Sequence, residues 1–115
     1  MGARINDFAL SAHFRLREFE CRCCGTVKLS ARLVERLEAL RARRGAPVLI
    51  TSGYRCPRHN AAVGGVENSR HMRGTAADIR VEPDELERLV ELARGLGFVE
   101  VVRGRKRHLH LAVEG

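Results

Sequence analysis

The chain is poor in aromatic residues: its 115 positions hold four Phe, one Tyr and no Trp. A core must therefore be assembled mainly from Leu, Val, Ile and Ala. The same shortage argues against a single-strand nucleic-acid surface, which stacks bases on aromatic rings interleaved with basic residues. Long apolar runs are missing too, and none approaches the roughly 18 residues of a membrane-crossing helix. Met1 to Ala12 lacks the apolar stretch of a secretory signal. Internal repeats, low-complexity tracts and linkers are also absent. With 44% hydrophobic residues, a folded globular chain is expected. The division expected is an irregular lead-in over 1–13 and a single domain over 14–115.

What the chain has in excess is positive charge. Lys and Arg number 21 against 14 Asp and Glu, a net charge of +7. That surplus favours an anionic partner, whether nucleic acid, lipid headgroups or an acidic polymer such as cell wall, without choosing among them. The basic residues are scattered apart from Arg103, Arg105, Lys106 and Arg107. A zinc-ribbon-like nucleic-acid protein is therefore the weakest reading, and no nucleic-acid partner is expected.

The four cysteines are Cys21, Cys23, Cys24 and Cys56. Three of them fall within four residues, an awkward start for a disulfide framework and a more natural one for a metal site or reduced thiols. Cys56 and His59 add a Cys-x-x-His step. A structural zinc ion on Cys21, Cys23 or Cys24, Cys56 and His59 is one reading. A single disulfide, for instance to Cys56, or four free thiols are the others.

Ser30 is a suitable N-cap for a helix reaching about Arg44, with Leu33, Val34, Leu37 and Leu40 on one stripe and Gly45 as the stop. Pro47 to Thr51 reads as a short buried strand. Residues 56–75 are rich in Gly, Asn, Ser and His, and an irregular stretch of that length in a small domain usually binds or catalyses. A short helical turn near 57–62 is compatible with this. A strand over Ala76–Val81 follows, then a second helix opening around Pro83, Asp84 and Glu85 with Leu86, Leu89, Val90 and Ala93 inward. Phe98–Val102 and Arg107–Val113 complete a basic hairpin. The fold class expected is α+β, two helices on a small, mostly antiparallel sheet.

Side chains alternate along a strand. Asp78 therefore points away from Ala77, Ile79 and Val81, while His108 and His110 share the face opposite Leu109, Leu111 and Val113. His71, seven residues before Asp78 and beyond Gly74, can fold back from the loop. Two imidazoles and a carboxylate form a known catalytic zinc set that leaves a fourth position for water.

The segment Ser69-Arg70-His71-Met72-Arg73-Gly74-Thr75-Ala76-Ala77-Asp78 resembles the signature of the zinc D-alanyl-D-alanine carboxypeptidase family. That group is related to VanX-type dipeptidases, phage endolysin peptidases and the hedgehog signalling domain. His108-Leu109-His110 is similar to its second His motif, and Ser52 to Arg55 and Asn60 to Gly65 to its upstream segment. The likeness spans roughly residues 14–113. It implies a hedgehog- and peptidase-like fold with one catalytic zinc ion on His71, Asp78 and His110. It also implies that Arg55 binds a substrate carboxylate or carbonyl, that Ser69 steadies the loop or touches substrate, and that His108 bonds a developing oxyanion.

One position departs from the family. Many members carry Asp or Glu three residues before the last zinc histidine, and here Arg107 stands there. Glu100 is the replacement general base by a register argument. If Arg103 pairs with Arg107, Glu100 lies directly opposite His110 and the valines stay on the core face. The reading that follows is a monomeric zinc peptidase acting on peptidoglycan stem or cross-link peptides at the cell wall. Its alternative is a zinc-containing module that binds wall peptides without cutting them.

Overall fold

The computed structural model describes residues 8–105 and 107–114. The expected lead-in falls partly outside this range, over 1–7. From Phe8 onward the chain is tied down: Ala9 bridges Arg15, and Ser11 Oγ and the His13 amide both donate to the Glu38 carboxylate. A 3-10 turn over Leu16–Phe19 follows.

The α+β class is observed. Helix α1 spans Ala31–Arg44 and ends at Gly45, whose φ of 71° is left-handed and whose amide donates to the Arg41 carbonyl. Arg41, Arg43 and Arg44 crowd its last turn, where the helix dipole favours cations. Ser30 sits at the N-cap, but its side chain makes no capping bond; its amide instead donates to the Gly74 carbonyl. Strand β1 covers only Ile50–Ser52, later and shorter than expected. Pro47 has no amide to give a ladder, and Arg44 Nη1 takes its carbonyl at 2.8 Å. Helix α2, Pro57–Ala62, occupies the polar stretch, which is thus less irregular than its composition suggested. Strand β2 is Ala76–Arg80 and helix α3 is Leu86–Arg94. The latter begins past Pro83, because Glu85 first closes a turn by accepting from the Glu82 amide and pairing with Arg44. Strands β3, Glu100–Arg103, and β4, His108–Ala112, finish the fold.

The strands lie in the order β1-β2-β4-β3, antiparallel throughout. Ile50, Ala77, Ile79, Leu109 and Leu111 turn to one side. There they join Leu33, Leu37 and Leu40 of α1 and Leu89, Val90 and Ala93 of α3 in a single core closed by Phe14, Phe19 and Phe98. Burying a side chain of this kind stabilises by about 1.5–3 kcal/mol. That drive keeps Asp78 and His110 on the opposite face.

The β3–β4 hairpin corrects one expectation. Arg103 pairs with Leu109, not Arg107, and Glu100 pairs with Ala112, leaving Val102 opposite His110. The turn is wider because β2 claims the start of β4: Arg80 pairs with His108 and the Val81 amide donates to the Arg107 carbonyl at 2.8 Å. Gly104 closes the wide turn against His108, where a Cβ would come within 3.1 Å of the His108 carbonyl oxygen. A shift of two residues preserves side-chain parity, so Glu100 still faces the same side as His110.

Gly74 carries the most demanding backbone near the site. Its φ is 76°, and a Cβ there would lie 2.4 Å from the Lys28 carbonyl oxygen. Gly74→Ala should lower stability by about 2–4 kcal/mol, combining left-handed strain with a backbone clash. Chemical denaturation of the variant against wild type measures this; a change within error would show that the Lys28 segment yields freely.

Candidate metal centre

Three elements bring His71, Asp78 and His110 together. Asp78 on β2 and His110 on β4 are direct cross-strand partners. His71 arrives on a 3-10 turn over Arg70–Arg73, started by Ser69, whose Oγ accepts from the His71 amide at 3.1 Å, and ended by Gly74. The ring centroids of His71 and His110 are 5.2 Å apart. One ligand atom from each of the three residues falls within 4.8 Å of the other two, an arrangement that could hold a metal ion.

The hydrogen bonds around these rings decide which atoms face inward. His71 Nδ1 lies 2.8 Å from the Gly53 carbonyl oxygen. A carbonyl only accepts, so Nδ1 carries the proton and Nε2 presents a lone pair, 3.2 Å from Asp78 Oδ1. His110 is fixed the opposite way round. Its Nε2 donates to Glu100 Oε1 at 2.8 Å, leaving Nδ1 toward Asp78 Oδ1 at 3.1 Å. With both rings neutral, three acceptor atoms meet with no donor among them. Only a cation or added protons satisfies such a cluster, so the residues fit a metal ion.

The metal-free electrostatics agree. Burial would raise the Asp78 carboxyl, but its close contacts with the His110 and His71 rings outweigh it and hold the group well below the ordinary carboxylate range. Burial would lower His110, and its bonds to Asp78 and Glu100 raise it overall. Glu100 is lowered, chiefly by His110.

Arg55 lines the same cleft. Its Nη2 donates to Asp78 Oδ2 at 3.2 Å, Nη1 to Asn60 Oδ1 at 3.3 Å and Nε to Ser52 Oγ at 3.3 Å. Gly65 permits this packing, since a Cβ there would fall 2.1 Å from Asn60 Oδ1. The cleft, about 540 Å³, is bordered by Arg55, Ser69, His71, Asp78, Glu100, His108 and His110.

Comparison with known proteins gives this geometry a family. Residues 12–112 match the peptidase M15 family. The chain belongs to that family. A zinc D-Ala-D-Ala carboxypeptidase from Streptomyces albus G is 37% identical over 82 residues, covering 67% of this chain and 32% of that protein. The chain thus spans about a third of the length of that relative.

Within this M15 domain the sequence-derived site residues fall as follows. His71, Asp78, His110, Arg55, Ser69, His108 and Glu100 all reach one cleft. Ser69 is buried and engaged as the cap of the His71 turn. His108 is exposed at the cleft's edge. Arg107 turns away and pairs with Glu82 at 3.5 Å, so no acid occupies its position. Glu100 is present by a diagonal reach rather than as the direct partner of His110.

Sequence reasoning missed the supports. The Gly53 carbonyl that orients His71 is a backbone group and leaves no mark in residue identity. Arg70 stands inside the signature, yet its ion pair with Glu100 at 3.4 Å spans thirty positions. Asn60, inside the quoted Asn60–Gly65 segment, proves to be the buried brace of Arg55.

The cysteines gather elsewhere. The sulfurs of Cys21, Cys24 and Cys56 lie within 4.8 Å of one another. Burial raises the Cys21 thiol, but backbone amides of Cys56, Cys24 and Cys23 outweigh it and bring it down to about 7. His59 is not part of that group and lines an adjacent pocket with Ser52 and Arg55.

These shifts set a pH dependence for the metal-free protein. A raised His110 stabilises the fold below about pH 6.5, and that contribution vanishes as the pH climbs through the raised value. A lowered Asp78 contributes above about pH 3.9 and is lost only on strong acidification. In chelated protein the Tm advantage of wild type over His110→Ala should therefore be smaller at about pH 8 than at about pH 6, the lowered Cys21 thiol being common to both, while the rise in Tm on adding zinc should be larger at about pH 8, because metal and proton compete for His110. Calorimetry at both pH values checks the pair of trends; a zinc effect independent of pH would remove His110 from the ligand set.

Proposed function

We infer that this domain is a zinc-dependent peptidase acting on peptidoglycan stem or cross-link peptides, with His71, Asp78 and His110 as the zinc ligands. The observation that carries the reading is the convergence of His71 Nε2, Asp78 Oδ1 and His110 Nδ1, all acceptors, at the floor of a cleft with Arg55 in its wall. A zinc ion bound there supplies Lewis acidity to a water and to a substrate carbonyl. The D-Ala-D-Ala substrate named for the Streptomyces relative supports the choice of peptide, and the charge of +7 suits an anionic wall. A monomer acting at the cell wall is part of the same reading.

The chain's own groups divide the remaining work. Arg55, already anchored by Ser52 and Asn60, orients the substrate carboxylate or carbonyl through its planar fork. His108, at the rim, bonds the oxyanion as it develops. Glu100 holds His110 in the tautomer that leaves Nδ1 free for the metal, a role secured by the 2.8 Å bond to Nε2 and the Arg70 contact. To serve as general base as well, its carboxylate must exchange that bond for one to the attacking water.

Two variants separate these roles. Glu100→Ala should weaken zinc affinity by about 10–100-fold, the usual effect of removing a group that orients a ligand. Glu100→Gln, whose amide oxygen still accepts from His110 Nε2, should keep most of that affinity. Loss of wall-peptide turnover in Glu100→Gln with zinc retained identifies Glu100 as the base. Unchanged turnover leaves it a positioning residue alone.

A second reading has its own observation. Arg107 stands where many relatives carry an acid, and Glu100 is occupied with His110. A zinc-containing module that binds wall peptides without cleaving them fits both facts. Elemental analysis of wild type and His110→Ala, with mass spectrometry of a peptidoglycan digest, decides. Zinc that disappears with His110 together with released peptides supports the enzyme. Tight binding of wall peptide with no release supports the module, and zinc content indifferent to His110 would refute both.

A further inference from the structure

The cysteine cluster has no part in the peptidase reading, yet its geometry is that of a metal site. Cys21 and Cys24 are separated by two residues, a spacing typical of zinc ligands. The turn between them is closed at both ends: the Cys21 amide donates to the Thr26 carbonyl at 2.7 Å, and the Gly25 amide to the Cys21 carbonyl at 2.9 Å. Gly25, with a φ of 75°, supplies the left-handed residue that lets the chain double back directly after Cys24.

Several donors around the cluster are aimed at sulfur. The Cys56 amide donates to Cys21 Sγ at 3.4 Å, the His59 amide to Cys56 Sγ at 3.4 Å and Arg58 Nη2 to Cys23 Sγ at 3.3 Å. Amides of Cys23 and Cys24 also point at Cys21. Three soft sulfur donors gathered within 4.8 Å of one another suit a single zinc ion, and the surrounding N–H groups give the sulfurs the hydrogen bonds that a ligating sulfur accepts. A disulfide would engage two of the four sulfurs and leave the other two, with their donors, unexplained.

We propose that Cys21, Cys24 and Cys56 hold a structural zinc ion and that Cys23, whose sulfur hydrogen-bonds with that of Cys56, completes the tetrahedron. Binding releases the remaining thiol protons to solvent, and the Arg58 guanidinium offsets part of the net negative charge of a tetrathiolate. The ion joins segments 35 positions apart, one of which begins α2 directly after Arg55. It thereby fixes the start of the helix that carries Asn60, the brace of Arg55.

The full chain, purified without oxidation and loaded with zinc, tests this by metal-to-chain ratio. Wild type should bind two zinc ions, and His110→Ala should retain one. Cys24→Ser, at an exposed position, should lose one while keeping the His110-dependent ion; Cys56→Ser should do the same if it folds. Cobalt-loaded wild type should show intense near-ultraviolet thiolate-to-metal charge transfer that Cys24→Ser removes, an independent check on the ligands. A single zinc per wild-type chain that His110→Ala abolishes would overturn the second site while leaving the first intact. So would cobalt-loaded protein without the thiolate band, or peptide mapping that finds Cys56 in a disulfide. A cobalt thiolate band with no His110-dependent zinc would instead support this site and refute the peptidase centre.

Discussion

The pairing of β2 with β4 is the constraint on which the rest of the structure depends. Asp78 lies directly across from His110, and on the reverse face Ala77 and Ile79 meet Leu111 and Leu109 in the core. A slip of one residue would bury a carboxylate and an imidazole and expose two leucines, a change far costlier than any single contact at the site. Hydrophobic burial on one side of the sheet thus sets the geometry of Asp78 and His110 on the other. The hairpin to β3 tolerates its two-residue departure from expectation for the same reason, since parity is kept.

Around that pair, the fold spends backbone groups and second-layer residues on the orientation of two imidazoles. Gly53 carbonyl holds His71 by Nδ1, and Glu100 holds His110 by Nε2, so the rings offer opposite nitrogens to a common point. Arg55 and Arg70 each neutralise a carboxylate of the centre, on Asp78 and Glu100 respectively. The cleft floor is consequently braced by hydrogen bonds before any ligand arrives, which favours recognition without reorganisation.

A second structural thread runs beside it. The Tyr54 amide donates to the Phe19 carbonyl, and Gly53 packs so close to Phe19 that a Cβ would lie 2.5 Å from its Cα. The Cys21 contact with the Cys56 amide continues that alignment. The early segment is therefore laid along the strip that supplies both the Gly53 carbonyl and Arg55, and the cysteine cluster sits at its end. Structural integrity of the amino-terminal loop and placement of the cleft's cationic wall are physically the same problem.

The sequence by itself determined much of this. Helical spacing located α1 and the inner stripe of α3, period-two alternation put Asp78, His108 and His110 on one face, and the signature from Ser69 to Asp78 marked the candidate metal centre. These are local regularities, written in neighbouring residues because helices and strands repeat at fixed periods. Tertiary structure alone decided the rest. The hairpin register depended on β2 claiming the Arg107 carbonyl, the tautomers of both histidines depended on groups from distant positions, and the meeting of Cys56 with Cys21 and Cys24 depended on two segments held together by the Tyr54–Phe19 backbone bond and the Cys56 amide. Each is a contact between residues far apart in the chain, chosen by shape and hydrogen-bond satisfaction across the whole domain, and no local period records it.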